Sequence, residues 1–161
     1  MRFIVASFAA LVALPVSAQA PQVTPPQAAQ PAVDYTIATP PAGRWTYART
    51  ATGSAASFLD AASRAQLTFT CVRSVRHISI ARPATGAAPY LMVWSTAERR
   101  SLPASFNPAT GLISADLSAF DKLFDALAFS RGRIAIGPSN APALVAPAEP
   151  EYIRVIEDCR S

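Results

Sequence analysis

Histidine occurs once in this chain, at His77, and cysteine twice, at Cys71 and Cys159. Metal centres draw on clusters of such side chains, and one imidazole with two distant thiols builds none. The two cysteines are not spaced C-x-x-C, so no dithiol redox motif is present. Six glycines serve the whole chain, and none sits in a G-x-S-x-G elbow, a Walker A loop or a dinucleotide fingerprint. Asp121 and Asp125 lie one helical turn apart on the same side. An acid–base pair needs carboxylates facing each other across a cleft, so these two read as solvated helix charges. Asp60 and Asp116 have no partner in the pattern, and His77 reads as an exposed strand residue. No residue is assigned a catalytic, cofactor-binding or metal-binding role.

Long apolar runs are also missing, with one exception at the start. Met1 and Arg2 precede an apolar stretch over 3–15, followed by Val16-Ser17-Ala18. The stretch is about 13 residues, short of the roughly 20 that a bilayer-spanning helix needs. Small residues at Val16 and Ala18 suit signal peptidase, so 1–18 is expected to be a signal peptide with Gln19 as the mature N-terminus. An export signal directs the protein to the periplasm or outside the cell, with no membrane span left after its removal. Residues 19–42 hold Pro21, Pro25, Pro26, Pro31, Pro40 and Pro41 among Gln and Ala, with Asp34 the single charge. Proline removes backbone donors, and the segment lacks the apolar density to offset its ordering entropy. It is expected to be a disordered linker; a proline-rich docking ligand is the alternative.

Residues 43–161, about 119 in number, suffice for a single globular domain with a modest core. Strand patterns come first. In 66–72, Leu67, Phe69 and Cys71 share one face, and Thr68 and Thr70 the other. Further strands are expected over 44–48, 54–60, 75–81, 90–96, 112–117, 133–137 and 143–145. Tyr90, Met92 and Trp94 share a strand face that a helix is expected to cover. Ser118 predicts the N-cap of a helix over about 118–131, with Phe120, Leu123, Phe124 and Leu127 at i, i+3, i+4, i+7. A second helix is predicted over about 148–159, with Tyr152, Val155, Ile156 and Cys159 in the same spacing. The class is α+β: an antiparallel sheet or small sandwich of about six to eight strands with two packed helices.

Cys71 sits on the apolar face of a strand and Cys159 on the apolar face of the last helix. Both faces must meet in one small core, and an exported chain passes an oxidising compartment, so a Cys71–Cys159 disulfide is expected. Charge is uneven. Residues 43–100 carry Arg44, Arg49, Arg64, Arg73, Arg76, Arg82, Arg99 and Arg100 against only Asp60 and Glu98, whereas 101–161 lean acidic. Arg73, Arg76, Arg82, Arg99 and Arg100 are therefore candidate anion-binding residues, with solvated strand faces as the ordinary alternative. Arg76 shares parity with Ile78 and Ile80, which points it inward on a continuous strand. Arg99 and Arg100 are expected in an exposed hairpin loop.

The order of Trp45, Phe69-Thr70-Cys71, the R-x-I-x-I run of 76–80 and the closing Asp158-Cys159-Arg160 resembles an uncharacterised family of small exported alphaproteobacterial proteins. It is also similar to the VasI-type accessory proteins of type VI secretion and to the invasion-associated locus B proteins. The resemblance implies a β-rich exported domain with an accessory role, and supplies no catalytic residues. The function expected is a non-enzymatic envelope accessory or partner-binding module, with an envelope protein as partner. The alternatives are a binder of anionic envelope polymers or ligands and an unrecognised hydrolase. Nucleic acid is not an expected partner.

Overall fold

Side chains that alternate between apolar and hydroxylated, as in 66–72, suit a sheet with one face buried and the other in water. The structure, a computed structural model, describes residues 34–161 apart from Thr36. The signal peptide expected at 1–18 and most of the linker expected at 19–42 lie outside the described residues. Ten strands and two helices follow in chain order: β1 Gly43–Thr50, β2 Gly53–Asp60, β3 Ala65–Val72, β4 His77–Pro83, β5 Tyr90–Trp94, β6 Arg99–Pro103, β7 Ser105–Asn107, β8 Leu112–Ser118, α1 Lys122–Ala128, β9 Arg133–Pro138, β10 Leu144–Pro147 and α2 Pro150–Arg160. They form two antiparallel sheets, ordered β1-β2-β3-β4-β8-β7 and β10-β9-β5-β6.

In the inner strands of the first sheet buried residues alternate: Ala56 and Phe58 in β2, Leu67, Phe69 and Cys71 in β3, Ile78 and Ile80 in β4, Ile113 and Ala115 in β8. The opposite face carries Ser57, Thr68, Thr70 and Ser79, all part-exposed. Ser57 Oγ and Thr68 Oγ1 lie 3.0 Å apart across the β2–β3 pair. A hydroxyl pair of this kind satisfies both side chains without needing a partner layer. At Gly53 the strands approach so closely that an added Cβ would lie 2.4 Å from the Cys71 carbonyl oxygen. Only glycine fits there.

α2 lies across the buried face of β1–β4. Pro150 opens it, where its missing N–H costs nothing. Tyr152, Val155, Ile156 and Cys159 form its buried stripe, each apolar side chain contributing about 1.5–3 kcal/mol by leaving water. Tyr152 packs with Trp45 and Phe69, ring centroids 5.1 and 5.2 Å away. The second sheet adds Leu91, Val93, Leu102, Ile134 and Ile136 to the same core. Trp45 Nε1 donates to Pro147 O at 2.8 Å and so ties β1 to β10.

The α+β expectation holds, with ten strands rather than eight. The two extra are β6 and β7, whose polar sequences show no alternation of their own. The first helix is shorter than expected. Ser118 remains in β8, paired with His77. Asp121 caps the helix instead, accepting from Leu123 N. Leu123, Phe124 and Leu127 are buried, but Phe120 precedes the helix and is 55% exposed. Among the described residues no helix residue stacks on Trp94. Its ring partner is Tyr35, 4.5 Å away, and Arg133 donates to the Ala38 carbonyl. Residues counted with the linker thus contact the second sheet. Tyr35→Ala is expected to cost about 1 kcal/mol in a urea melt; an unchanged midpoint would show the stack contributes nothing.

The expected disulfide is present. Cys71 and Cys159 are bonded, with Cα atoms 5.6 Å apart. No helix among the described residues is long and apolar enough to cross a membrane.

Candidate functional site

A guanidinium costs little at the surface and a great deal inside, so the environment of each arginine separates ordinary from unusual. The five candidates from sequence do not share one patch. Arg73 follows β3 and lies with Arg49 beside the β1–β2 turn, in a shallow depression of about 190 Å³. Arg76 is not turned inward as strand parity suggested. It sits in the β3–β4 turn at φ 51°, which breaks the parity, and its guanidinium lies 5.7 Å from the Phe120 ring centre. Arg99 and Arg100 are not in a loop but at the start of β6, where alternation sends them to opposite faces. Arg99 lies over Trp94 at 5.4 Å.

Arg100 already has a counter-ion. It makes paired bonds to Asp121, at 2.5 Å to Oδ1 and 3.0 Å to Oδ2. The Arg100 guanidinium in turn holds the Asp121 carboxyl below the usual carboxylate range. Asp121 thus serves as helix cap and ion-pair partner, rather than as a solvated helix charge. Asp125 is likewise paired, with Arg160 of α2 at 2.7 Å. A carboxyl with a depressed folded pKa stabilises the fold above its unfolded value, near pH 4, and loses that contribution as pH falls through the folded value. Urea melts between pH 5 and 2 should therefore show a steeper loss in the native chain than in Asp121→Asn. Equal slopes would mean the pair adds nothing.

Arg82 differs from the other four. It has the parity of Ile78 and Ile80 on β4, so its side chain is directed between the sheets and is half-buried. Its Nη1 donates to Ile136 O of β9 at 2.7 Å and more weakly to Pro142 O at 3.4 Å. Nε is shielded from solvent and has no acceptor. No carboxylate pairs with Arg82 among the described residues. Burial accordingly pushes its pKa down from the ordinary value. The guanidinium lines a cleft of about 410 Å³ between the β4–β5 and β9–β10 connections, bounded by Pro83, Thr85, Pro138, Asn140 and Pro142. Asn140 Nδ2 donates to Ala87 O at 3.1 Å and links the two connections. Gly137 lets the chain fold back beside the cleft: an added Cβ would lie 2.5 Å from Ala143 Cα.

A third cleft, of about 330 Å³, contains the Arg100–Asp121 pair. With Asp116 also in its lining that cleft is net acidic, whereas Arg82 makes its own cleft net basic. Sequence reasoning named Arg82 for its charge. It missed Thr85, Asn140 and the prolines, which lie in connections without periodicity. The remaining sequence candidates are accounted for structurally. His77 is exposed at the start of β4, and Trp45 is a core residue. No group of His, Cys, Asp and Glu among the described residues is arranged to hold a metal ion. No family model, no curated protein and no solved structure matches the chain.

Proposed function

We propose that this chain is a non-catalytic binding module of an extracytoplasmic compartment, and that it engages an anionic group of its ligand or partner in the Arg82 cleft. The observation that carries the reading is the half-buried Arg82 guanidinium, which has no carboxylate beside it. Withdrawing a charge partly from water without a counter-ion is unfavourable, and such a cost is retained where a ligand supplies the missing charge. Backbone carbonyls hold Arg82 in place, which pre-organises it. The Arg82 cleft falls in the size range of small-molecule sites and sits at a junction between two sheets. It favours a single anionic group over a polymer, because a polyanion needs a track of cations and this cleft offers one.

The compartment is inferred from the disulfide and from the export signal read in the sequence. The periplasm is the location proposed. Intact mass of the protein recovered from the envelope should begin at Gln19; retention of Met1 would remove the localisation.

Thermal unfolding at fixed ionic strength, with sodium propionate, phosphate, sulfate or heparin added in turn, tests the binding reading. At least one anion should raise the melting temperature in a saturable way, by an amount set by its concentration relative to Kd. The rise should vanish in Arg82→Gln, with folding checked by circular dichroism. No rise with any anion, or a rise that survives in a folded Arg82→Gln, would reject the site.

A further inference from the structure

Resting on that reading, we infer that the Arg82 cleft is a receptor for a monocarboxylate with a compact apolar body. Charge sets the valence. Among the cleft residues Arg82 is the single ionisable one, with Thr85 and Asn140 as its polar neighbours. One positive charge balances one negative charge. A phosphate dianion would enter with a second charge that nothing in the cleft compensates, and removal of that charge from water is unfavourable.

The donors set the geometry. Nη1 is already committed to Ile136 O and Pro142 O. Nη2 makes no bond to the protein among the described residues, and Nε has no acceptor. Because Nε is shielded from solvent, Nη2 is the nitrogen left to meet a carboxylate oxygen, through a charge-assisted bond. A tetrahedral oxyanion can accept the same bond, but its further oxygens then face a lining of prolines and alanines in which Thr85 and Asn140 are the remaining polar side chains.

The walls set the body. Pro83, Pro138 and Pro142 line the cleft together with Ala84 and Ala141. Proline carries no backbone N–H, so these positions offer a ligand apolar surface and carbonyl groups but no donor. Asn140 commits one of its two amide N–H groups to Ala87 O, so its second N–H and the Thr85 hydroxyl remain as neutral donors. Arg82 is the one charged group in the cleft, with apolar contact around it. The carboxylate can belong to a free small acid or to the end of a peptide; the chemistry at Arg82 is the same.

Calorimetric titration of the mature chain with benzoate, propionate, methyl benzoate, inorganic phosphate, and Ala-Ala-Pro with a free or amidated C-terminus tests the class. Benzoate should bind more tightly than propionate, and methyl benzoate should not bind. Phosphate should bind at least about tenfold more weakly than benzoate, as the loss of a charge-assisted pair implies. Binding of the free tripeptide, with none of the amide and tighter than benzoate, would assign the carboxylate to a chain end and support the class. Arg82→Gln should weaken benzoate at least about tenfold, and Arg82→Lys should recover part of it by restoring charge without the planar fork. The ester comparison uses the native chain, so it stands even if a variant fails to fold. Equal binding of benzoate and its ester would overturn the inference. Phosphate binding tighter than every carboxylate would overturn the ligand class while leaving Arg82 an anion site. No binding of any anion would remove both the class and the reading it rests on.

Discussion

Replacing Cys71 and Cys159 together by alanine is expected to destabilise the domain by about 4–5 kcal/mol and to lower its melting temperature by roughly 15 °C. The bond closes a loop of 88 residues between β3 and α2. Without it the unfolded chain regains the entropy of that loop, and this is the larger part of the effect in the chain-entropy model. Both sulfurs are fully buried, so the alanine pair also leaves a small cavity. Thermal melts of the oxidised native chain and the double variant measure the difference. A shift of only a few degrees would show that core packing holds α2 in place without the bond.

Tyr152→Ala should come close in size, at about 3–5 kcal/mol. Tyr152 is fully buried, stacks on Phe69 and meets Trp45, so its ring joins β1, β3 and α2. Its hydroxyl donates to Leu127 O of α1 at 2.8 Å. Burial also pushes the phenol pKa far above its ordinary value, so the hydroxyl remains a donor throughout the working pH range. Tyr152→Phe keeps the ring and removes the hydroxyl, leaving the Leu127 carbonyl without this donor. It should cost about 1 kcal/mol. Equilibrium urea unfolding of both variants separates the two contributions. A phenylalanine variant as unstable as the alanine variant would place the energy in the hydrogen bond rather than the ring.

Much of this was legible because the core repeats a simple period. The alternation of Leu67, Phe69 and Cys71 and the helical spacing of Tyr152, Val155, Ile156 and Cys159 each specify one buried face, and the disulfide follows from their meeting. β6 and β7 were not legible, since polar edge strands are fixed by their partners. Arg99↔Trp94 and Phe106↔Ile113 set those registers, and neither is visible from 99–107 alone. The helix start was misread because Ser118 and Asp121 are both good caps, and the pairing of Ser118 with His77 decides between them. Arg82 was readable only as one of several cations, because the strand expected over 75–81 stopped short of it; its parity with Ile78 and Ile80 comes from β4 extending to Pro83. What parity does not contain is the second sheet and its β9–β10 connection, whose carbonyls at Ile136 and Pro142 fix Arg82 between two connections far apart in sequence.

The central claim is that Arg82 is held ready for an anion. Nuclear magnetic resonance of the ¹⁵N-labelled mature chain, titrated with benzoate at constant ionic strength, observes that group directly. The account predicts a saturable shift of the Arg82 Nε–H signal together with the amides of Thr85, Gly86 and Asn140, and no comparable change at Arg73 or Arg99. Shifts that scatter over the surface arginines, or an Arg82 signal unmoved at the highest benzoate concentration, would contradict it.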